Sequence, residues 1–161
     1  MARVTNVITT LHSGGRTADS VTVSSTSWSV DNGTITLSAP VPASVLVGDV
    51  ITDSVSNKYV ITGIAGSVLT CQDFSTTTDP ATGAATIANA YNTVDDWYDD
   101  LDGNSNLYSS GDTARGRGYS GGGDFDELLS FDAALGGTTG LDRIILEAGD
   151  THTGTKNTGV R

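Results

Sequence analysis

Apolar residues in the first half of the chain come in short runs, broken at close spacing by Gly, Pro, Asn and Asp. Trp28-Ser29-Val30 and Ile35-Thr36-Leu37 flank Asp31-Asn32-Gly33-Thr34. Asn-Gly tolerates the positive φ angles of a type I′ turn. A two-residue loop at Asn32-Gly33 would pair Val30 with Ile35 and Trp28 with Leu37, placing all four apolar side chains on one face. After Pro40 and Pro42, which interrupt pairing, Val45-Leu46-Val47 is expected to be a strand that meets a Gly48-Asp49 turn and continues as Val50-Ile51. Tyr59-Val60-Ile61-Thr62-Gly63-Ile64 turns at Ala65-Gly66-Ser67 into Val68-Leu69-Thr70-Cys71. Several short strands with tight turns predict a small β-barrel or sandwich over residues 1–79.

The pattern changes near residue 80. Residues 75–83, Ser-Thr-Thr-Thr-Asp-Pro-Ala-Thr-Gly, offer almost nothing to bury and predict a linker between that module and a second one over 80–161. Ala85-Thr86-Ile87-Ala88 is expected as a strand. Val94, Trp97, Tyr98 and Leu101 then follow helical spacing. Thr93 stands as N-cap, Asp96 is in the place of a capping-box acid, and Gly103 is available to end a helix near 94–102. Residues 104–123 are rich in Gly, Ser and Asn and are expected to be loop. Residues 124–135 fit a helix or a strand. Arg143-Ile144-Ile145-Leu146-Glu147-Ala148 predicts a strand. At the other end, Val4 to Leu11 forms a strand-like run with no evident local partner, suited to docking on a neighbouring subunit.

Composition narrows the function. Eight basic residues against nineteen acidic ones give a net charge of −11. That excludes the clustered Lys and Arg of a nucleic-acid surface and disfavours an anionic membrane. No apolar run approaches the ~20 residues of a transmembrane helix. Abundant Ser, Thr, Gly, Asn and Asp favour turns and strand surfaces over helices. The lone Cys71 cannot make an intrachain disulfide and lies in an apolar run, as a buried, inert thiol does. The start, Met1-Ala2-Arg3-Val4-Thr5, lacks the apolar segment of an export signal. Asn32-Gly33-Thr34 spells a glycosylation sequon and is taken as a turn.

Few motifs point to chemistry. Gly116-Arg117-Gly118-Tyr119-Ser120-Gly121 spells G-x-G-x-x-G, but no buried apolar strand precedes it, as a dinucleotide site requires. Asp100-Leu101-Asp102-Gly103-Asn104-Ser105-Asn106 resembles the opening of a calcium loop, with oxygen ligands at alternate positions. Ser105 replaces the usual Gly, and Gly111 stands where a bidentate Glu belongs. Asp100, Asp102 and Asn104 are the candidate calcium ligands, and no other cofactor is expected. The acid pairs Asp95-Asp96, Asp99-Asp100 and Asp126-Glu127, with Asp124, read as solvated charge rather than an acid–base couple. His12 and His152 have no metal-ligand spacing. The chain is not expected to be an enzyme. Trp97, Tyr98, Tyr108 and Tyr119 are candidates for stacking on a sugar or a partner.

Two resemblances follow. The order of strand, Val-Gly-Asp, strand and hairpin resembles small SH3-like barrels. Ala84-Ala85-Thr86-Ile87 through Tyr91-Asn92-Thr93-Val94-Asp95-Asp96-Trp97 resembles a module that precedes right-handed parallel β-helices in phage fibre, spike and head-decoration proteins and some bacterial surface proteins. So do Asp124-Phe125 to Gly137-Thr138-Thr139 and Arg143 to Gly154. The likeness covers roughly residues 84–161 and carries over no catalytic residue. It implies that Phe125 to Ala133 is a strand, that Phe125–Phe131, Ile144–Leu146 and Gly159-Val160-Arg161 are β-helix rungs, and that the chain forms a homo-oligomer, a trimer first. It further implies a virion component, made in the host cytoplasm, with capsid or tail proteins as partners. An extracellular glycan-binding module, or a fragment of a polysaccharide-degrading β-helix protein, is the alternative. Rungs bury their faces only against neighbours, so further covering is expected from another chain or from sequence beyond Arg161.

Overall fold

The computed structural model describes residues 4–74, 78–101, 107–119 and 140–148. Its strands are β1 (Asn6–His12), β2 (Asp19–Ser29), β3 (Asn32–Leu37), β4 (Val50–Thr52), β5 (Lys58–Ala65), β6 (Val68–Asp73), β7 (Gly83–Ala88), β8 (Thr113–Tyr119) and β9 (Arg143–Ala148), with one short helix, α1 (Val94–Asp99), between β7 and β8. The chain is mainly β, as expected. Six strands close an antiparallel barrel in the order β2-β3-β6-β5-β4-β7, and β1, β8 and β9 form a separate parallel sheet in the order β1-β8-β9. The pairing does not follow the composition break at 75–83. Strand β7, beyond it, closes the barrel between β2 and β4, while β1, before it, belongs to the second sheet.

The barrel is filled by alternate residues of its strands. Ile35 and Leu37 of β3, Ile51 of β4, Tyr59 and Ile61 of β5, Leu69 and Cys71 of β6, and Ala85 and Ile87 of β7 form one buried cluster. Period-two alternation gives a strand one inward face, and closure leaves the barrel no free edge. The Cys71 thiol is buried and free, and burial pushes its pKa well up.

The expected hairpin is present, but its turn falls two residues earlier in the chain. Trp28 pairs with Gly33 and Ser29 with Asn32, so Val30-Asp31 makes the turn rather than Asn32-Gly33. Val30 adopts the left-handed region at φ 57 and is 77% exposed, so it is no part of the apolar face. The use made of Gly33 explains the shift. A Cβ there would lie 2.7 Å from the Cα of Trp28 and 2.8 Å from its ring, so the glycine seats the indole. That ring then meets Tyr59 edge-on, with centroids 4.9 Å apart. Seating a large aromatic in the barrel outweighs the better turn propensity of Asn-Gly.

Three further expectations change. Val45-Leu46-Val47 is not a strand; the chain turns at Val47-Gly48, where Gly48 has φ 101, although Val45 is buried. Residues 113–119, expected to be loop, form β8 at the centre of the parallel sheet. Nor does β1 lack a partner, because it pairs with β8 along its whole length, from Asn6↔Thr113 to His12↔Tyr119. The helix starts as predicted, with Thr93 accepting a hydrogen bond from the Asp96 N–H at 3.0 Å, and ends at Asp99 with Asp100 as its C-cap, short of the expected 102. The segments 125–133 and 159–161, expected as rungs, and Gly103 lie outside the described residues.

A second buried cluster joins the sheet to the barrel. Val50, Val60 and Phe74 on the barrel's outer side pack with Val7, Leu11, Tyr91, Val94, Trp97, Leu101, Leu107, Tyr108 and Ala114. Gly116 explains how a glycine-rich strand sits in a core. A Cβ there would come within 3.0 Å of both Leu11 and the Trp97 ring. Strand β8 is backbone sandwiched under side chains that β1 and α1 provide. Gln72 pins the two parts together: its carbonyl accepts from Val4 N–H at 3.1 Å and its amide donates to Leu107 O at 3.2 Å.

Candidate functional site

A groove of about 900 Å³ opens on the barrel's outer side. It runs between the barrel and α1. Arg16 and Lys58 stand on its walls together with Asp96, Asp99, Asp100 and Tyr91. Arg16 is fixed, donating to Asp19 and to Asp49, each at 2.8 Å. Burial alone would lower its pKa, but the hydrogen bonds and charges of the two carboxylates outweigh that and raise it. Asp49 also accepts from Thr10 Oγ1 at 2.6 Å and from Leu46 N–H at 2.9 Å. This carboxylate thus ties β1 to the barrel, and the role was not visible in the sequence because its partners lie up to 39 residues away.

At the other wall, Tyr91 donates its hydroxyl hydrogen to Asp100 Oδ2 at 2.8 Å. Burial pushes the Asp100 carboxyl up from its ordinary range, against the opposing effect of that bond. Asp100, the first candidate calcium ligand, is therefore partly engaged within the protein. Asp102 and Asn104 lie outside the described residues. Among the described residues no three His, Cys, Asp or Glu side chains already stand in an arrangement that could hold a metal ion.

The candidate stacking aromatics are mostly core. Trp97 is 2% exposed and donates through Nε1 to the Tyr108 hydroxyl at 3.2 Å. Tyr108 and Tyr119 are also buried, and Tyr98 packs half-buried against the same cluster. Burial pushes the Tyr108 hydroxyl up to about 12. Three of the four rings thus offer no open face to a sugar or partner. Helical spacing of aromatics marks a core stripe as readily as a binding stripe.

The parallel sheet presents a different kind of surface. Its strands stack so that Val7, Ala114 and Ile144 are lateral neighbours on the side facing the shared core. Two residues along the same face come Thr9, Gly116 and Leu146, yet Leu146 is 48% exposed. On the opposite face Glu147 accepts from Arg115 at 2.6 Å and from Arg117 at 2.8 Å. Burial would raise the Glu147 pKa, but the two arginines outweigh it and hold the carboxyl below its ordinary value. Arg115 and Arg117 are thereby used internally, to clamp β8 to β9.

Among the described residues no helix is long and apolar enough to cross a membrane. Comparison with models of protein families, with known proteins and with solved structures finds no match.

Proposed function

We propose that the chain is a structural component of a virus particle, a head-decoration, fibre or spike-anchoring subunit that acts by protein–protein assembly. The observation that carries this reading is the parallel stack β1-β8-β9. Its strands lie side by side in uniform register, and one step of the stack, from Thr113 to its partner Arg143, takes 143 − 113 = 30 residues. Val7, Ala114 and Ile144 form one apolar ladder across the stack, and Glu147 bridges β8 and β9 through Arg115 and Arg117. Parallel pairing of this kind supports the reading that a β-helix starts here, because such rungs bury each face on the last. The half-exposed Leu146 on β9, the edge strand among the described residues, supports continuation of the stack by further rungs or by a subunit. The barrel then serves as a compact anchor, fixed to the stack through Gln72, Asp49 and the shared core.

In this reading the chain works as a homo-oligomer, a trimer first, alongside capsid or tail proteins. Closed symmetry turns each open edge into an interface. Sedimentation equilibrium of the purified chain tests it. A trimer or another closed oligomer is expected, and a folded monomer at high micromolar concentration would contradict it. The polar groove at Tyr91 and Asp100 favours a second reading, an extracellular glycan-binding module. Saturable binding on a glycan array, lost in Asp100→Ala, would promote that reading.

A further inference from the structure

Four carboxylates among the described residues are buried: Asp49, Asp53, Asp73 and Asp112. Three are supplied with donors. Asp49 has Arg16, Thr10 and Leu46 N–H. Asp53 accepts from the N–H groups of Val55, Asn57 and Ala81. Asp112 accepts from Ser109 N–H. Asp73 is 2% exposed, and neither of its carboxylate oxygens has a hydrogen-bond partner. A buried charge with no partner costs far more than a satisfied one, so the fourth acid calls for the kind of partner that the other three already have.

The register shows where Asp73 points. Leu69, Cys71 and Asp73 share the inward face of β6, and Asp73 pairs with Tyr59 at the end of β5. Asp73 therefore closes one mouth of the barrel. Its backbone N–H donates to Asp31 O at 2.8 Å, which brings the β2–β3 turn alongside. The Tyr59 hydroxyl donates to Thr78 O at 2.7 Å, which brings the segment before β7 over the same mouth. The charges of Asp31 and Asp79 both act on Asp73, and both of these residues are exposed.

We propose that this barrel mouth binds a hard divalent cation, calcium in first place, with buried Asp73 as the fixed ligand and Asp31 and Asp79 as the exposed acids that turn in to complete it. Calcium accepts six to eight oxygens in flexible geometry, carboxylates, backbone carbonyls and water among them. Magnesium demands a tighter octahedron. Since no three acids are already in ligand geometry, the site is one that binding assembles, and its affinity is that of weak extracellular sites, about 10⁻⁴–10⁻³ M. The cation would cross-link β6, the β2–β3 turn and the lead-in to β7, the three pieces whose junction closes the barrel.

Terbium luminescence on the metal-stripped full chain tests this, because Trp28 packs against Tyr59 beside the site and can sensitise the ion. Saturable emission that calcium displaces is expected, together with a calcium-dependent rise in melting temperature. Asp73→Asn should weaken both by roughly tenfold or more, and so should the surface variant Asp31→Asn/Asp79→Asn, which leaves the core untouched. Asp100→Asn should change neither. Absence of both signals up to ~10 mM calcium would overturn the proposal. So would signals that persist in Asp73→Asn, or that vanish in Asp100→Asn instead.

Discussion

Replacing Asp73 by Asn should make the metal-free protein more stable at neutral pH, and the gain should vanish in acid. Burial first, then the charges of Asp31 and Asp79, raises the Asp73 carboxyl from 3.8 to about 6. A raised carboxyl pKa means that the fold prefers the protonated form. Stability from this group is therefore gained as pH falls below about 6, complete below 3.8, and absent at neutral pH. A shift of about two units at about 1.4 kcal/mol each would amount to roughly 3 kcal/mol. Relaxation and water entry around an ionised buried group reduce this to about 1–2 kcal/mol. Asn has the shape of the protonated acid and carries no charge, so it should supply that difference at every pH. For a chain of this size the gain is worth roughly 2–8 °C in melting temperature. Urea denaturation of both proteins in EDTA, from about pH 7.5 to about pH 4, measures it. The variant should lead at the upper end, and the curves should converge at the lower. Parallel curves, or an Asn variant less stable at neutral pH, would refute the claim that Asp73 is an unrelieved buried charge.

Gly33→Ala should cost more than about 2 kcal/mol, since the added carbon meets Ser27 and Trp28 backbone that cannot step aside; chemical denaturation reads it, and a neutral result would restore the Asn32-Gly33 turn. Gly116→Ala should cost about 1–3 kcal/mol, because Leu11 and Trp97 are within 3.0 Å of the new methyl; Trp97 fluorescence should shift with it. Glu147→Gln should cost only about 0.2–1 kcal/mol, as these side chains are partly exposed. Its cost should shrink in high salt, and hydrogen exchange should rise in β9.

Much of the barrel was legible in the sequence because its strands carry their own signal, inward apolar residues at alternate positions and turns at Gly66 and Gly48. The helix was legible for a similar reason, since Thr93, Asp96 and the Val94–Trp97 spacing are local. The hairpin register was not, because it depends on a seat for Trp28 that only the folded barrel creates. Strand β8 was invisible because Thr113 to Tyr119 holds two glycines and two arginines; its burial comes from Leu11 and Trp97, distant in the chain. The buried aromatics were open to two readings, since periodicity tells which residues share a face but not what covers it. Asp73 could have been noticed: an acid in phase with Leu69 and Cys71 on an inward strand face is a polar residue at a core position.

The role proposed for this chain is structural work in a particle, through a barrel that anchors and a parallel stack that extends. Immunogold electron microscopy of particles from the native source, using antibody raised against the purified chain, tests it most directly. Regularly spaced label on a capsid, tail or fibre is the expected result. Label confined to soluble material, with particles left bare, would contradict the account.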